Sequence, residues 1–238
     1  SPMTKRENKG RLERPLPTLY SFRRCPYAMR ARMALTVANQ QCRLREIVLR
    51  DKPREMTALS PKATVPVLHL IDGRVLEQSL DIMLWALDRE DPEHWLSPEI
   101  GTLTDMKAFI TELDGPFKHH LDRYKYATRY DEEPNSVDHR AEATNILITL
   151  NDRLSTQAHL FGTKPTLADF ATFPFIRQFA NTDRDWFDKQ PLSNLQNWLE
   201  GHLTSDLFQS IMKKWPVWGA GDPEPLFPDQ DWGRHYSL

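Results

Sequence analysis

A cysteine followed by proline, placed after a short apolar strand and a basic turn, constrains this chain more than any other feature. Cys25 and Pro26 open a helical pattern that runs to Asn39. Because proline suits the first position of a helix, Cys25 is predicted to lie at the helix cap. At that position the sulfur faces unpaired backbone amides and the positive end of the helix dipole.

Positive charge surrounds this cysteine in the sequence, since Arg23, Arg24 and Arg30 flank it. Both the helix cap and the arginines favour the thiolate, which is the reactive form of cysteine. Cys25 is therefore predicted to be a nucleophile, in preference to the alternative of a buried, inert cysteine. Cys42 begins a strand pattern without a proline or a basic turn, and it is predicted to be structural or merely exposed.

Length and composition exclude several classes of protein. A chain of 238 residues allows one large domain or two small ones, and a net charge of −2 argues against binding nucleic acid through phosphates. No apolar run approaches the ~18 residues that a membrane span needs, and the polar, basic residues 1–14 do not resemble a signal peptide. With only two cysteines, no disulfide framework is expected, so we predict a cytoplasmic protein without nucleic-acid or membrane partners.

The apolar pattern predicts an α/β domain followed by an all-helical domain. Residues 16–89 follow the order β-α-β-α-β-β-α, after a flexible tail at 1–15. A polar linker is expected at 90–99, and residues 100–238 are predicted to form the all-helical domain with an extended C-terminal tail.

Several helices are predicted within the second domain. Two long ones span Thr102–Tyr126 and Val137–Leu154, with the charged residues 131–135 between them. A capping box at Thr166–Asp169 precedes a further apolar helix. Two shorter helices are expected near 192–202 and 205–214.

Taken together, these pieces resemble the cytosolic glutathione transferase family, and most closely its omega-class, cysteine-type members. The resemblance runs from Pro17 to Lys214 and rests on motifs in a shared order: the Cys-Pro-aromatic turn at 25–27, Lys52-Pro53, Val65-Pro66-Val67-Leu68, Gln78-Ser79 and the Thr-x-x-Asp box. It implies a thioredoxin-like N-terminal domain before the all-α domain. It also implies glutathione as cosubstrate and a homodimer.

The resemblance assigns one set of glutathione contacts to the turn before the third strand. It implies a cis peptide bond at Val65-Pro66, which lets the Val65 backbone pair with the cysteinyl part of glutathione like an added strand. Tyr27 matches the aromatic residue after Cys-Pro in the family motif.

A second set of contacts is assigned to the ends of the ligand. Gln78 and Ser79 match the residues that hold the γ-glutamyl end, although omega-class members usually carry glutamate at the position of Gln78. Considered without the family resemblance, Gln78 and Ser79 would indicate only the start of a helix. Lys52 matches a lysine that faces the glycyl carboxylate, but a lone lysine is usually solvated. Glu77 is adjacent to Gln78 in the sequence, but its side chain is expected to point away from the ligand.

The resemblance implies a glutathione-dependent thiol transferase or dehydroascorbate reductase that works through a cysteine thiolate. Ala28 stands where a Cys-x-x-Cys oxidoreductase has its second cysteine, so an internal disulfide of that kind cannot form. Conjugation of electrophiles, or reductive removal of a glutathionyl group, is an alternative. Other classes activate glutathione with a hydroxyl from the region of Tyr20 and Ser21, and strand packing is the competing interpretation for Tyr20. A non-catalytic binding or regulatory role is the third hypothesis.

The second substrate is expected to bind a pocket lined by aromatic residues of the helical domain. The candidates are Tyr124, Tyr126 and Tyr130, with Trp186 as a further one, and core packing is the competing interpretation for each. The tail around Trp218 and Phe227 either covers this pocket or packs on the surface, and the pattern leaves this open.

No metal site is predicted. His119 and His120 are neighbours on a helix and point in different directions. No other Cys/His spacing fits zinc.

Overall fold

The structure is a computed structural model that describes residues 15–127, 130 and 137–228. Residues 1–14 of the predicted N-terminal tail and the whole of the predicted loop at 131–135 lie outside the described residues. The chain divides into two compact units, which separate between Ala86 and Leu87. The residues after Met212 belong to the first unit, whereas the sequence pattern grouped them with the helical domain.

The first unit has the predicted β-α-β-α-β-β-α order of a thioredoxin-like domain. Its elements are β1 (Thr18–Ser21), α1 (Pro26–Val37), β2 (Cys42–Glu46), α2 (Arg54–Leu59), β3 (Val67–His69), β4 (Val75–Leu76) and α3 (Ser79–Arg89). The peptide bond between Val65 and Pro66 is cis, as the family resemblance implies.

Together with a C-terminal strand, β5 (Leu226–Phe227), the strands form one mixed sheet in the order β4-β3-β1-β2-β5. Strand β1 lies in the centre, parallel to β2 and antiparallel to β3. Because parallel strands need a crossover, α1 connects β1 to β2 across the sheet. Nearly every residue of α1 is buried, including the charged residues Arg30 and Arg32.

The C-terminal segment completes this sheet. Strand β5 (Leu226–Phe227) pairs antiparallel with β2, with Phe227 opposite Cys42. Next to it, Arg45 donates a hydrogen bond to Glu224 at 2.7 Å and lies over the ring of Trp218 at 4.0 Å. The tail therefore packs on the edge of the first unit, which the sequence left undecided.

The second unit is helical. Its elements are α4 (Leu103–Glu112), a π-helical turn (Leu113–Phe117), α5 (Lys118–Lys125), α6 (His139–Arg153), α7 (Leu167–Thr182), α8 (Arg184–Asp188), α9 (Ser193–Leu203) and α10 (Asp206–Ile211). Both long predicted helices are present, since α4, the π turn and α5 run on continuously. The π turn contains Pro116, and its wider hydrogen bonding suits a residue that has no N–H.

The predicted linker at 90–99 is instead part of the packed helical unit. Trp95 is fully buried, and its ring stacks on Phe170 with 3.7 Å between the centroids. The carboxylate of Asp91 accepts hydrogen bonds from the amides of Trp95 and Leu96, both at 2.9 Å. The prolines and charges of this stretch suggested a free connection, but one aromatic side chain anchors it.

A buried carboxylate organises the centre of the helical unit. Asp169, in the predicted capping box, accepts hydrogen bonds from the Thr166 amide, the Leu160 amide and the Trp198 indole, each at 2.9 Å. Complete burial acts to raise the pKa of the Asp169 carboxyl, but His159 beside it and the backbone amides of Leu160 and Thr166 hold that pKa below the usual value. His202 is buried beside it and stacks on Phe173 at 4.8 Å.

Among the described residues, no helix combines the length and the apolar character that crossing a membrane requires.

We expect Phe227→Ala to lower the free energy of unfolding by about 3–5 kcal/mol, because the side chain is buried and anchors β5. The matched control is Leu226→Ala in the same strand, whose side chain is exposed and whose loss should cost less than about 1 kcal/mol. Urea denaturation measures both. Equal losses of unfolding free energy in the two variants would show that the buried side chain of Phe227 does not anchor β5.

We expect acid to weaken the fold through His202. Burial lowers the pKa of His202 from 6.5 to about 4, so between these values the unfolded chain binds a proton that the folded chain excludes. Stability attributable to this group therefore falls as pH decreases from 6.5 to 4, by on the order of 3 kcal/mol. His202→Phe should remove this part of the pH dependence in denaturation curves, whereas His94→Asn, at an exposed position, should retain it.

Candidate active site

Cys25 is the N-cap residue of α1, as predicted. Its backbone is extended, with φ −73° and ψ 120°, and Pro26 follows at the first helical position. The Cys25 carbonyl accepts the first helical hydrogen bond from Met29 at 2.9 Å, and the Cys25 amide donates to Phe22 at 3.0 Å. The change from strand to helix thus occurs within the turn at 22–25, and it places the sulfur at the positive end of α1.

The sulfur lies between polar backbone and an apolar wall. Its Sγ is 3.8 Å from the carbonyl oxygen of Val65, the residue before the cis proline. Cys25 is half-buried and packs against an apolar cluster that includes Tyr20, Ile47 and Met56. The site thus offers a partly exposed sulfur beside a turn that contains the cis peptide bond between Val65 and Pro66.

A buried arginine that the sequence analysis did not select holds this turn. Arg32 is only 2% exposed and donates three hydrogen bonds to consecutive residues: Nη1 to Ser21 Oγ at 2.8 Å, Nη1 to the Phe22 carbonyl at 3.3 Å and Nη2 to the Arg23 carbonyl at 2.7 Å. Its signal in the sequence was that Arg30 and Arg32 place two charges in an otherwise apolar stretch of helix.

Arg32 is also the buried charge that acts on the cysteine. Burial lowers the pKa of Arg32 to about 10, while attraction to Glu46 and to a Cys25 thiolate opposes that decrease. Because such attraction is mutual, Arg32 favours the thiolate form of Cys25. Burial raises the pKa of Glu46, and Arg32 is the largest influence that lowers it.

The three arginines chosen from the sequence have different surroundings. Arg24 is exposed and Arg23 is half-buried, whereas Arg30 is fully buried. Arg30 donates from Nη1 to Ser79 Oγ at 3.4 Å and lies 5.3 Å from the centroid of the Tyr27 ring. It therefore joins the cysteine helix to the start of α3, and it is a link between two parts of the predicted cradle.

The other predicted glutathione contacts lie in the same unit. Gln78 is exposed and acts as the N-cap of α3, because its carbonyl accepts a hydrogen bond from Ile82 at 3.1 Å. Ser79 follows as the first helical residue and is buried. Lys52 is half-buried just before α2. Arg30 thus contacts both Tyr27 and Ser79, and Cys25 caps the helix that carries Arg30.

The hydroxyl groups near the site both accept hydrogen bonds from arginine. Tyr20 is 1% exposed, and its oxygen accepts from Arg45 Nη1 at 2.6 Å. Burial raises the pKa of Tyr20, with Arg45 opposing the rise. Ser21 accepts from Arg32. The burial of Tyr20 matches the strand-packing interpretation of that residue. Cys42 is fully buried, and burial raises the pKa of its thiol.

The three tyrosines of the predicted electrophile pocket lie in the helical unit. Tyr124 packs on Phe179 at 5.3 Å, and burial raises its pKa. Tyr126 is the C-cap of α5, and Tyr130 lies under the Arg123 guanidinium at 4.3 Å. Trp186 also contacts Phe179, at 6.2 Å. These are packing contacts within one unit, and the role of the tyrosines in binding a substrate stays a prediction.

Two clusters of side chains have the composition of a metal site. One comprises His119, His120 and His139, and the other comprises His159, Asp169 and His202. In each cluster the ligand atoms lie within 4.8 Å of one another. Convergence at the first cluster differs from the expectation drawn from adjacent helical positions, because the third histidine comes from a separate helix.

Comparison with known proteins agrees with this geometry. Residues 19–95 match the family described as glutathione S-transferase, N-terminal domain, and residues 112–201 match glutathione S-transferase, C-terminal domain. Together these ranges cover most of the chain, which therefore belongs to the glutathione S-transferase family.

Individual relatives are distant in sequence. Mouse glutathione S-transferase omega-1 is 24% identical over 200 residues, which are 84% of this chain and 77% of that protein. Among solved structures, a glutathione transferase of Phanerochaete chrysosporium in complex with oxidised glutathione has a TM-score of 0.72 at 17% identity, covering 84% of this chain and 96% of its own. A family member from Pseudomonas fluorescens with two glutathione molecules bound has a TM-score of 0.70 at 16% identity, covering 83% and 92%.

We expect Arg32→Lys to slow alkylation of Cys25 at neutral pH by about tenfold, because lysine cannot reproduce the planar set of donors to residues 21–23. Iodoacetamide kinetics measured against pH check this. Arg50→Lys, at an exposed position of the same unit, is the control and should leave the rate unchanged. An unaltered rate in Arg32→Lys would mean that the turn is held without the guanidinium.

Proposed function

We propose that this chain is a glutathione-dependent thiol transferase with the Cys25 thiolate as its nucleophile. The observation that carries the proposal is the half-buried sulfur at the N-cap of α1, with a buried guanidinium tied to the turn before it. The dipole of α1 and the charge of Arg32 act in the same direction, toward a thiolate at neutral pH.

The proposed reaction proceeds in two exchanges. The Cys25 thiolate attacks the glutathionyl sulfur of a mixed disulfide, the substrate S–S bond breaks, and the substrate leaves as a thiolate that takes a proton from water. A second glutathione thiolate then attacks the glutathionyl sulfur on Cys25, which releases oxidised glutathione and regenerates the Cys25 thiolate. Ala28 supplies no second thiol, so this external reductant is required. Dehydroascorbate is a second oxidant that the same sulfur would serve.

The backbone at Val65 is the proposed seat of the cysteinyl residue of glutathione. A peptide that pairs with Val65 as an added strand lies beside the carbonyl that is 3.8 Å from Cys25 Sγ. The ligand sulfur would then meet the protein sulfur, which favours disulfide exchange over conjugation. The hydroxyls of Tyr20 and Ser21 already accept hydrogen bonds from arginine, which makes each a weaker choice for activating glutathione.

The start of α3 is the proposed seat of the γ-glutamyl end. Its free amides suit a carboxylate, and Arg30 adds a buried positive charge at Ser79. Gln78 is exposed there and would accept a hydrogen bond from the ligand ammonium group without the charge of a glutamate. Tyr27 and Lys52 complete the proposed cradle, with Lys52 facing the glycyl carboxylate.

We expect Cys25→Ala to lower the rate with a small glutathione mixed disulfide by at least about a thousandfold, because no other described thiol is accessible. Cys42→Ala, at a fully buried position, is the control and should keep most of the activity. Full activity in Cys25→Ala would refute the mechanism. Cys25→Ser should be equally inactive in disulfide exchange but could hold the glutathione thiol by a hydrogen bond, so a gain in conjugation is expected there.

We expect Gln78→Glu to tighten glutathione binding by about threefold to tenfold at low salt, because a carboxylate at this exposed cap would pair with the ligand ammonium. Titration calorimetry at two salt concentrations measures the change. Glu77→Gln, one residue earlier, should leave affinity unaltered if its side chain points away. A tighter complex that shows no salt dependence would argue against a charge interaction at this position.

A further inference from the structure

Three histidines from two helices meet on the surface of the helical unit. His119 and His120 lie in the first turn of α5, and His139 is the first residue of α6. Their ligand nitrogens all lie within 4.8 Å of one another. We infer that these three side chains form a binding site for a zinc ion, outside the glutathione-binding unit.

The spacing of the nitrogens suits a tetrahedral ion. Nδ1 of His120 is 2.9 Å from Nδ1 of His139. A zinc ion with bonds of about 2.0–2.1 Å holds its ligand nitrogens about 3.3 Å apart, so small ring rotations would open this pair around the metal. The rings of His119 and His120 lie at 83° to each other, with centroids 4.9 Å apart. That angle lets neighbouring residues present nitrogens to one point from different directions.

The accessibility of the cluster also suits a metal that enters from solvent. His119 is exposed, while His120 and His139 are half-buried. Three imidazoles leave the fourth position of a tetrahedral ion to water, as in open zinc sites. Imidazole is a ligand that zinc, copper and nickel all accept, so nickel and copper are expected to compete.

Two neighbouring charges would act on a bound cation in opposite directions. Glu142, one turn after His139 on α6, exerts an attraction that reaches His120. Arg123, one turn after His119 on α5, opposes a cation. The Arg123 guanidinium lies over the Tyr130 ring at 4.3 Å and is directed by that contact.

The second cluster does not carry the same inference. At His159, Asp169 and His202 the carboxylate already accepts hydrogen bonds from two backbone amides and an indole. A metal there would have to displace bonds that hold α7 and α9 together.

A zinc ion at the surface cluster would join α5 to α6. These helices are consecutive in the chain, and the three imidazoles bridge the first turn of α5 to the first turn of α6. Because the ion binds the folded arrangement, its presence stabilises the helical unit by mass action. The expected role is therefore structural reinforcement of this helix pair.

The test uses the full chain with Cys25→Ser, so that no accessible thiolate competes for metal. Zinc affinity is measured by competition with a chromophoric chelator, and cobalt is added as a spectroscopic probe. We expect one zinc per chain and a visible cobalt band without a thiolate charge-transfer band. His120→Gln and His139→Gln should each weaken zinc binding at least about tenfold, and Arg123→Gln should strengthen it a few-fold.

His94→Gln, at an exposed position outside the cluster, is the matched control and should bind zinc as the parent does. The same variants should lose the rise in melting temperature that zinc gives the parent, which separates coordination from a loss of folding. Zinc binding that is no tighter in the parent than in His120→Gln, or a cobalt spectrum unchanged by His139→Gln, would overturn the proposal.

Discussion

The buried guanidinium of Arg32 is the constraint on which the reactive end of this molecule depends. A charge with 2% exposure is costly unless its donors are satisfied, and here they are satisfied by the three residues that precede Arg24. The same hydrogen bonds therefore satisfy the Arg32 guanidinium and fix the conformation of the turn at residues 21–23. If the turn opened, Arg32 and Glu46 would both lose the surroundings that make their burial tolerable.

This arrangement fixes both the position of the cysteine and the position of the charge that favours its ionisation. The backbone of Cys25 is held on both sides, because its amide donates to the Phe22 carbonyl and its carbonyl accepts from Met29 at the start of α1. Its apolar neighbours restrict water, while the charge that favours ionisation comes from a group that cannot swing away. A flexible surface lysine or arginine would supply a similar charge but would not define where the sulfur points.

The periodicity of the sequence was sufficient for the order of the elements and for the cap position of Cys25, because both follow from local chemistry. Proline at the first helical position and alternating apolar residues are signals within a few residues. The burial of Arg32 and the anchoring of Trp95 were missed, since each depends on partners that only the folded chain brings together.

The same reason explains the histidine cluster and the C-terminal strand. Adjacent positions on one helix argued against a shared site at His119 and His120, because the local pattern could not reveal His139 on α6. Strand β5 is two residues long, and its register is set by β2, which lies far earlier in the chain. Family resemblance supplied what local pattern could not at Val65, where the cis bond is present.

The position of β5 has a consequence for the order in which the protein is made. On the ribosome, the sheet partner of Cys42 emerges only after the entire helical unit has been translated. During this time β2 lacks its partner strand β5, while the residues of the second unit have already been translated and can fold. A chain released from the ribosome before Leu226 and Phe227 are added would therefore carry an unprotected sheet edge at β2.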